Sequence, residues 1–402
     1  MKVLTANMGG GWVEKNPQDD DALQQDVATD EARRVLSDVF RCENLVVLTG
    51  LGTSLCVSDQ DGQPAAPTMG ALWDLVEAQF EAQADPKLAF SDLLALVGYR
   101  PNGKDIEALL SRCRLAESFL QGTDKENVSA FIQLAERVIV DATNFVRVNH
   151  NLPHHGEFLR RVARRSNRKA RAKIFTTNYD LCFEESARQG RYVVIDGFSP
   201  TQPATFDAAH FSYDIVKRSR TGDNHELLPN VFHLYKLHGS INWHRDADGE
   251  IYKHHNLGDN ARPLLIYPRN SKYELAFEQP YLEVINAFQT ALREPNTGLL
   301  VAGFGFNDNH LSEPVLSALR SNLGLKVAVV GPCLHQFDDG HEGESYTNKY
   351  IAKFRQLAEA GDARIALVNC GFEELNQYIP DLVAESDLEQ HYARLRGLDH
   401  YE

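Results

Sequence analysis

Cysteine is scarce and scattered in this sequence. The 402 residues contain six cysteines, and no two of them have the C-x-x-C spacing that begins a zinc knuckle or a redox-active pair. They are Cys42, Cys56, Cys113, Cys182, Cys333 and Cys370. Isolated cysteines of this kind are typical of reduced thiols in a protein core. The pattern therefore argues against a zinc site built from cysteine.

Long hydrophobic runs and an excess of positive charge are also lacking. No stretch of roughly 18 uncharged apolar residues occurs, and residues 1–30 contain Asp19-Asp20-Asp21 where a signal peptide needs an apolar core. We therefore expect a soluble, cytoplasmic protein with no membrane partner. The net charge is −15, so the chain has no basic field to attract phosphate backbones. We expect no direct sequence-specific binding to nucleic acid.

Short apolar segments that alternate with helical segments are abundant. Such a pattern predicts an α/β fold, namely a Rossmann-like parallel sheet covered by helices on both faces. The predicted strands are 44–49, 172–177, 192–195, 232–237, 263–267, 298–302, 326–330 and 364–368.

The sequence divides into four predicted regions. Residues 1–27 have little periodicity and predict an N-terminal arm that orders only against a neighbour. Residues 28–68 and 149–380 form the Rossmann domain, and a 3.6-residue apolar period across 69–148 predicts a helical insert domain within it. Residues 381–402 predict a C-terminal helical tail.

Glycines follow the first predicted strand, where residues 49–54 read T-G-L-G-T-S. Ligands of parallel sheets bind beyond the carboxyl ends of the strands. Gly50 and Gly52 would let the backbone approach a pyrophosphate there, with Thr53 and Ser54 beside them. The third glycine of the dehydrogenase fingerprint is missing, so an ordinary tight turn remains an alternative.

An amide and a carboxylate follow the second predicted strand, in T-T-N-Y-D at residues 176–180. Asn178 could hold a carboxamide or a water molecule by hydrogen bonds, with Thr177 and Asp180 in the same loop. The alternative is a turn or a helix N-cap without a role in chemistry.

Two further loops complete the set. His238-Gly239 follows a strand, where an imidazole could serve as a general base, although a structural histidine is the alternative. Residues 302–308 read A-G-F-G-F-N-D, which places Asp308 as a candidate acceptor for a ribose hydroxyl near Gly303 and Asn307.

The order of these four loops resembles the nucleotide site of the sirtuin family. It most resembles bacterial sirtuin-like effectors of antiphage defence, in which T-T-N-Y-D, L-H-G-S-x-N-W and G-F-x-F-N-D recur, and the resemblance covers roughly residues 45–372. It implies an NAD site in which Asn178, His238 and Asp180 are catalytic, with Asp180 beside nicotinamide. The residues that it implies for NAD binding are Gly50, Gly52, Thr53, Ser54, Thr177, Gly239, Gly303, Asn307 and Asp308.

The chain departs from sirtuin deacylases in two places. The first loop lacks the G-I-P-D-F-R stretch and its arginine. After His238-Gly239, residues 243–252 read W-H-R-D-A-D-G-E-I-Y, which predicts a hairpin with an Asp-Gly turn where deacylases carry a four-cysteine zinc ribbon. We therefore expect no zinc and no deacylase groove.

The resemblance implies an NAD+ glycohydrolase that cleaves NAD to nicotinamide and ADP-ribose. Its expected role is that of an antiphage effector that depletes NAD in abortive infection. The alternatives are a scaffold subunit that binds NAD or a cyclic-ADP-ribose-type nucleotide without turnover, and, less favoured, a protein deacylase. The expected partner is a HerA-type DNA-translocating ATPase ring, with an Argonaute-type protein as the alternative, and we also expect a homo-oligomer.

Two other segments are notable for charge or spacing. Residues 98–105 read G-Y-R-P-N-G-K-D and nearly match a phosphate-binding loop, but Asp105 stands where Mg²⁺ needs a hydroxyl and no strand precedes the segment. We therefore expect no ATPase activity. Residues 160–173 are rich in Arg and Lys, which predicts a solvated helix face, or alternatively a docking surface for an acidic partner or DNA.

Overall fold

A computed structural model gives the structure of the protein. It describes residues 1–9, 11–15, 26–59, 61–83, 88–101, 103–166, 169–218, 225–246, 248–254, 263–265, 279–334 and 348–381. Residues 266–267 of a predicted strand and 382–402 of the predicted tail lie outside this set. Within it, no helix is long and apolar enough to cross a membrane.

α-Helices and β-strands alternate at both ends of the chain, and a group of helices and a group of strands lie between them. The helices are α1 (Val27–Phe40), α2 (Met69–Glu81), α3 (Phe90–Leu96), α4 (Ile106–Glu117), α5 (Gly122–Thr143), α6 (Pro153–Val162), α7 (Cys182–Gln189), α8 (Tyr281–Arg293), α9 (Asn309–Ser321), α10 (Lys349–Glu359) and α11 (Phe372–Tyr378). The strands are β1 (Lys2–Thr5), β2 (Val13–Glu14), β3 (Asn44–Thr49), β4 (Lys173–Thr176), β5 (Val193–Ile195), β6 (Ala204–Thr205), β7 (Val216–Arg218), β8 (His225–Leu227), β9 (Val231–Lys236), β10 (Gly239–Arg245), β11 (Ile251–Lys253), β12 (Pro263–Leu265), β13 (Thr297–Ala302), β14 (Lys326–Val330) and β15 (Ile365–Asn369).

A nine-stranded sheet forms the centre of the protein, with the order β2-β1-β15-β14-β13-β3-β4-β9-β5. The strands from β15 to β5 run parallel, and helices cover both faces of the sheet. The predicted fold class, a Rossmann-like parallel sheet covered by helices, is therefore confirmed. Strand β3 lies between β4, which follows it in sequence, and β13, which comes more than 200 residues later. Such a reversal of strand order opens a crevice at the carboxyl ends of the strands.

Two apolar layers cover the two faces of the sheet, so its strands are buried on both sides. One layer packs α1, α6 and α11 against alternate strand residues and contains Phe40, Phe158 and Phe232. The other packs α8, α9 and α10 against the opposite face and contains Phe175 and Phe288, whose rings lie 5.1 Å apart. Continuous apolar strands such as L-V-V-L in β3 are what a sheet covered on both sides requires.

Helices α2 to α5, here called the insert helices, share a hydrophobic core of their own. Trp73, Phe80, Phe90 and Phe131 form its aromatic centre, with ring centroids 5.2 to 6.1 Å apart. The same cluster includes Tyr179 and two residues of the small sheet described next. The insert helices therefore pack against the segment that follows β4 and against the small sheet. The assignment of 69–148 as a separate domain stays a prediction.

A smaller antiparallel sheet follows β9, with the order β12-β10-β11-β6. Strands β10 and β11 form the predicted hairpin, closed by a turn in which Gly249 has a φ of 88°. Residues 263–265 pair antiparallel with β10. Their placement in the main parallel sheet was therefore wrong, because an apolar run alone does not say which sheet a strand joins.

The prediction of an N-terminal arm that orders only against a neighbour was wrong for residues 2–5. These residues form β1, which pairs antiparallel with β15 from Lys2 opposite Asn369 to Thr5 opposite Ala366. Val3 and Leu4 are fully buried on the two faces of the sheet. Two apolar residues in a short strand gave too little periodicity for a strand prediction.

Several basic residues of the segment 160–173 form ion pairs with acidic residues elsewhere in the chain. Arg160 and Arg164 bind Asp381, Arg171 binds Asp214, and Lys173 binds Glu294. The solvated helix face predicted for this segment was therefore wrong. The same ion pairs neutralise the positive charges that would bind an acidic partner or DNA. Arg168 lies outside the described residues.

Arg165 binds backbone carbonyls at the end of α1, and we expect its loss to destabilise the fold. Its guanidinium donates to the carbonyl of Phe40 at 3.0 Å and to those of Cys42 and Glu43 at 2.8 Å, just beyond the end of α1. Burial lowers the pKa of Arg165 to about 10, so the group stays charged at neutral pH. Replacing it by alanine should lower the free energy of unfolding by about 1–3 kcal/mol, because these carbonyls lose their donors.

Chemical denaturation of Arg165→Ala measures this effect. Arg33→Ala removes an exposed arginine of α1, the helix whose end Arg165 contacts. This control should change the free energy of unfolding by less than about 0.5 kcal/mol. Equal losses in the two variants would show that the carbonyl contacts of Arg165 do not stabilise the fold.

Candidate functional site

A cavity of about 490 Å³ lies at the carboxyl ends of the central parallel strands. The loops after β3, β4, β9 and β13 form its floor. The insert helices and the segment before α4 form the wall opposite. Of the predicted site residues, nine line it: Gly50, Gly52, Thr177, Asn178, Asp180, His238, Gly303, Asn307 and Asp308. The structure thus brings residues from all four predicted loops to one cavity.

Strand register explains why these loops meet. Thr49, the last residue of β3, lies opposite Thr176 of β4 and Ala302 of β13, and Thr176 lies opposite Lys236 of β9. Four neighbouring parallel strands therefore end at the same level. Each chain segment leaves the sheet there, so short loops place their side chains within reach of one another.

The amide of Asn178 is held against the first loop. Its Nδ2 lies 3.0 Å from the carbonyl oxygen of Gly50, 2.8 Å from Ser54 Oγ and 3.2 Å from Thr53 Oγ1. Because the Gly50 carbonyl can only accept, this contact fixes which end of the amide is nitrogen. The amide nitrogen thus faces the glycine loop, and Oδ1 is the end of the side chain that can accept a hydrogen bond from a ligand.

Asp180 continues this network at the bottom of the cavity. Its Oδ2 accepts from Ser54 Oγ at 2.7 Å, and its Oδ1 accepts from the backbone N–H of Cys182 at 3.0 Å. The buried ammonium of Lys236 donates to the Asp180 carbonyl and pairs with Glu184 at 3.4 Å. The carboxylate thus links the first and second loops and stabilises the position of Asn178.

His238 forms a buried pair with Asp308. Its Nε2 lies 3.0 Å from Asp308 Oδ2, and both residues are less than a tenth exposed. Asp308 Oδ1 accepts from the backbone N–H of His310 at 2.8 Å, which caps helix α9. Burial raises the pKa of Asp308, but the hydrogen bonds from His238 and His310 outweigh it and hold the pKa below its ordinary value.

An ionised Asp308 orients its partner. A carboxylate can only accept a hydrogen bond, so Nε2 of His238 carries the proton that lies between them. The paired carboxylate thereby fixes the direction of the imidazole ring. The prediction that Asp308 accepts from a ribose hydroxyl did not foresee this pairing.

Close backbone contact between the first and fourth loops shapes the cavity floor. The N–H of Gly52 donates to the Gly303 carbonyl at 2.9 Å. A β-carbon on Gly52 would lie 2.6 Å from Gly303 Cα, so a side chain there would push the two loops apart. Gly303 has a φ of 65°, a conformation that residues with a side chain rarely adopt.

We expect Gly303→Ala to destabilise the protein and open this contact. Its β-carbon would lie 2.6 Å from the backbone nitrogen of Thr53, and the positive φ adds strain. The free energy of unfolding should fall by about 2–4 kcal/mol in chemical denaturation. Gly305→Ala in the same loop meets only the flexible Asn307 side chain at 3.2 Å and should cost less than about 1 kcal/mol. Equal losses would contradict this account of the loop contact.

Three predicted binding residues do not line the cavity. Thr53 and Ser54 are fully buried behind its wall, where their hydroxyls bind Gly50, Asn178 and Asp180. Gly239 has a φ of 82°, and a β-carbon there would lie 2.1 Å from the carbonyl oxygen of Leu264 in β12. All three therefore support the residues that face the cavity, and nothing in their placement favours direct contact with a ligand.

The insert helices supply a wall that the sequence did not predict. Gly103, Lys104, Asp105 and Glu107 come from the segment before α4 and its first turn. Glu107 Oε1 accepts from the hydroxyl of Tyr179 at 2.8 Å, which ties the insert helices to the loop that carries Asn178. The near match of residues 98–105 to a phosphate-binding loop was the one signal that pointed to this segment.

No group of three or more His, Cys, Asp or Glu side chains is placed to hold a metal ion among the residues that the structure describes. The glycine backbones of the cavity can approach an anion closely, and the His238 imidazole can accept a proton. The cavity therefore combines an amide, an imidazole and glycine backbones, which can bind an anionic ligand and take part in proton transfer.

Comparison with protein-family models identifies a SIR2-like domain in residues 172–350, which is less than half of the chain. The matched range contains Asn178, Asp180, His238, Gly303 and Asp308. The first glycine loop and the insert helices lie outside it. A search of curated proteins finds no match.

Several solved structures share weak similarity with most of the chain. A Sir2 homologue variant in complex with ADP-ribose is 13% identical, covers 86% of this chain and 94% of its own, and has a TM-score of 0.40. A structure of a Sir2 enzyme, solved to explain the mechanism and regulation of Sir2 enzymes, is 10% identical. It covers 92% of this chain and 99% of its own, with a TM-score of 0.40. A Sir2 complex with a p53 peptide and NAD+ is 14% identical, with coverages of 82% and 97% and a TM-score of 0.33. Scores of this size assign neither a ligand nor an activity to this chain.

Proposed function

We propose that the protein is an NAD+ glycohydrolase that cleaves NAD to nicotinamide and ADP-ribose. One observation carries the proposal: Asn178, the His238–Asp308 pair and the glycine loops all surround one cavity at the carboxyl ends of parallel strands. The SIR2-like match over residues 172–350 and the order of the four sequence motifs support NAD as the nucleotide that binds in this cavity. A volume of about 490 Å³ is in the range of small-molecule sites.

The reaction breaks one bond and forms one. The bond from the ribose C1′ carbon to the nicotinamide nitrogen breaks, and its electron pair leaves with the nitrogen, which turns the pyridinium into neutral nicotinamide. Water adds its oxygen to C1′ and releases one proton. The transition state resembles an oxocarbenium ion, as in glycoside hydrolysis, so the protein must orient the leaving group and activate the water.

Asn178 is assigned to orientation. Its Nδ2 is fixed on the first loop, and Oδ1 would accept a hydrogen bond from the nicotinamide carboxamide or from the attacking water. A side chain held by several hydrogen bonds loses little further freedom when substrate binds, which favours a near-attack geometry.

His238 is assigned to proton transfer, and Asp308 positions it. With Nε2 bound to Asp308, the lone pair of Nδ1 would polarise a ribose hydroxyl or take the proton of the water. The imidazolium formed in this step is stabilised by the adjacent carboxylate, whose pKa is held below its ordinary value.

The second candidate is a subunit that binds NAD or a related cyclic nucleotide without turnover. One observation favours it: the Asn178 amide nitrogen is fully engaged with the first loop, as a purely structural asparagine would be. Binding without turnover predicts saturable NAD affinity and no free nicotinamide.

A direct assay separates the two candidates. Purified protein is incubated with NAD, and nicotinamide, ADP-ribose and remaining NAD are quantified by chromatography. The glycohydrolase proposal predicts loss of NAD matched one to one by both products. NAD that is bound but intact, both without and with the partner proposed below, would support the binding subunit and overturn the hydrolase.

A defence role and an ATPase partner are further proposals that rest on the motif resemblance. We propose that the chain depletes NAD during phage infection and that a HerA-type ATPase ring controls it. The same assay, run with and without that partner, tests the control. Identical rates in both conditions, with the complex verified by gel filtration, would contradict it.

A further inference from the structure

The insert helices place one cation in the wall of the cavity. Among the lining residues that the structure describes, Lys104 is the only lysine or arginine. The lining also contains four carboxylates, from Asp105, Glu107, Asp180 and Asp308. An anionic substrate therefore meets a single positive side chain in a wall that is otherwise acidic.

The lining carboxylates already have partners within the fold. Asp105 Oδ1 accepts from the backbone N–H of Ala108 at the start of α4, and Glu107 accepts from Tyr179. Asp180 and Asp308 accept from Ser54 and His238. These bonds keep the negative charges fixed in the wall.

Lys104 instead pairs with Asp74 on the outer side of α2. Its side chain is 56% exposed and that of Asp74 is 55% exposed. Ion pairs between such exposed groups contribute little because water screens them and because long side chains lose entropy in forming them. The ammonium can therefore exchange Asp74 for a ligand at little cost.

The first loop alone provides limited charge for a pyrophosphate. It continues into a 3-10 turn of three residues, Leu51–Thr53, rather than into an α-helix whose N-terminus would face the ligand. Glycine N–H groups can still bind phosphate oxygens there, but two phosphate charges favour a cation in addition.

We propose that Lys104 binds the pyrophosphate of the dinucleotide, so that the segment between α3 and α4 takes part in substrate binding. This inference rests on the proposed function, since it takes NAD as the ligand of the cavity. It assigns a role in affinity and none in bond cleavage.

The test compares substrates with and without phosphate. Lys104→Gln should raise KM for NAD about tenfold or more, with kcat nearly unchanged, because a charge-assisted hydrogen bond to phosphate is lost. Cleavage of nicotinamide riboside, which has no phosphate, should be unaffected. Lys104→Arg should retain most of the affinity for NAD.

A matched control is Lys125→Gln, which removes an exposed lysine from α5 of the insert helices and should leave both substrates unchanged. Thermal unfolding of each variant verifies that the fold is intact. Equal effects of Lys104→Gln on NAD and on nicotinamide riboside, or no effect on either, would overturn the role of Lys104.

The behaviour of the wild type distinguishes an error in the role of Lys104 from an error in the proposed function. If the wild type cleaves NAD and Lys104→Gln behaves identically, only Lys104 is misassigned. If the wild type releases no nicotinamide, calorimetry with ADP-ribose and with adenosine replaces the assay, and Lys104→Gln should weaken ADP-ribose binding alone. A wild type that binds neither NAD nor ADP-ribose would overturn both proposals.

Discussion

Replacing Asn178 by alanine should reduce the rate of nicotinamide release by about a hundredfold or more. The substitution removes the Oδ1 acceptor from the cavity and the three contacts that hold the amide on the first loop. The loss should appear in kcat, because orientation of the leaving group and the water matters most in the transition state. Steady-state kinetics with NAD measures it.

Two controls accompany this variant. Binding of ADP-ribose, measured by calorimetry, should persist in Asn178→Ala if the first loop keeps its shape. Asn307→Ala removes another amide from the cavity lining, on the fourth loop, and should raise KM while changing kcat by less than about tenfold. An Asn178→Ala enzyme with normal kcat would refute the orienting role of the amide.

Replacing Asp308 by asparagine should lower kcat by about a hundredfold at neutral pH. Asparagine is nearly isosteric and can still cap helix α9, so the fold should be retained. Its amide nitrogen can donate to Nε2 of His238, however, which would move the imidazole proton to Nδ1 and remove the base. The imidazolium would also lose the adjacent negative charge.

The pH dependence of stability provides a second readout for this pair. Because the pKa of Asp308 is lower in the folded protein than its ordinary value, its contribution to the free energy of unfolding is present above the unfolded pKa. This contribution disappears as the pH falls through the folded pKa. The stability difference between wild type and Asp308→Asn should therefore shrink in acid.

Asp26→Asn is the matched control for Asp308→Asn. Asp26 also caps a helix, α1, through the backbone N–H groups of Ala28 and Thr29, and it does not line the cavity. Its replacement should leave kcat unchanged. If Asp308→Asn were as active as Asp26→Asn, the buried carboxylate would have no part in positioning His238.

The sequence predicts the sheet well because its strands are buried on both faces. Continuous apolar runs such as those of β3, β13 and β14 stand out from their polar surroundings and have few alternatives. The glycine and polar residues after those runs then mark the carboxyl edge. Together with the resemblance of the motif order to the sirtuin family, this allowed Asn178, His238 and Gly303 to be assigned to one site before their positions were known.

Contacts between distant segments could not be predicted from the sequence in the same way. The pairing of His238 with Asp308 joins loops 70 residues apart, and the bond from Tyr179 to Glu107 joins the second loop to the insert helices. Both depend on the order of strands in the sheet and on the packing of the insert helices. Local spacing carries no information on either.

We propose that the four strand-end loops bind one dinucleotide between Asn178 and His238. A crystal structure with carbocyclic NAD, which resists hydrolysis, would locate the ligand. We expect density for the carbocyclic ring that joins nicotinamide within hydrogen-bond distance of both side chains, and density for the pyrophosphate along Gly50, Gly52 and Gly303. Carbocyclic NAD bound elsewhere, with the cavity between Asn178 and His238 empty of it, would rule this binding mode out.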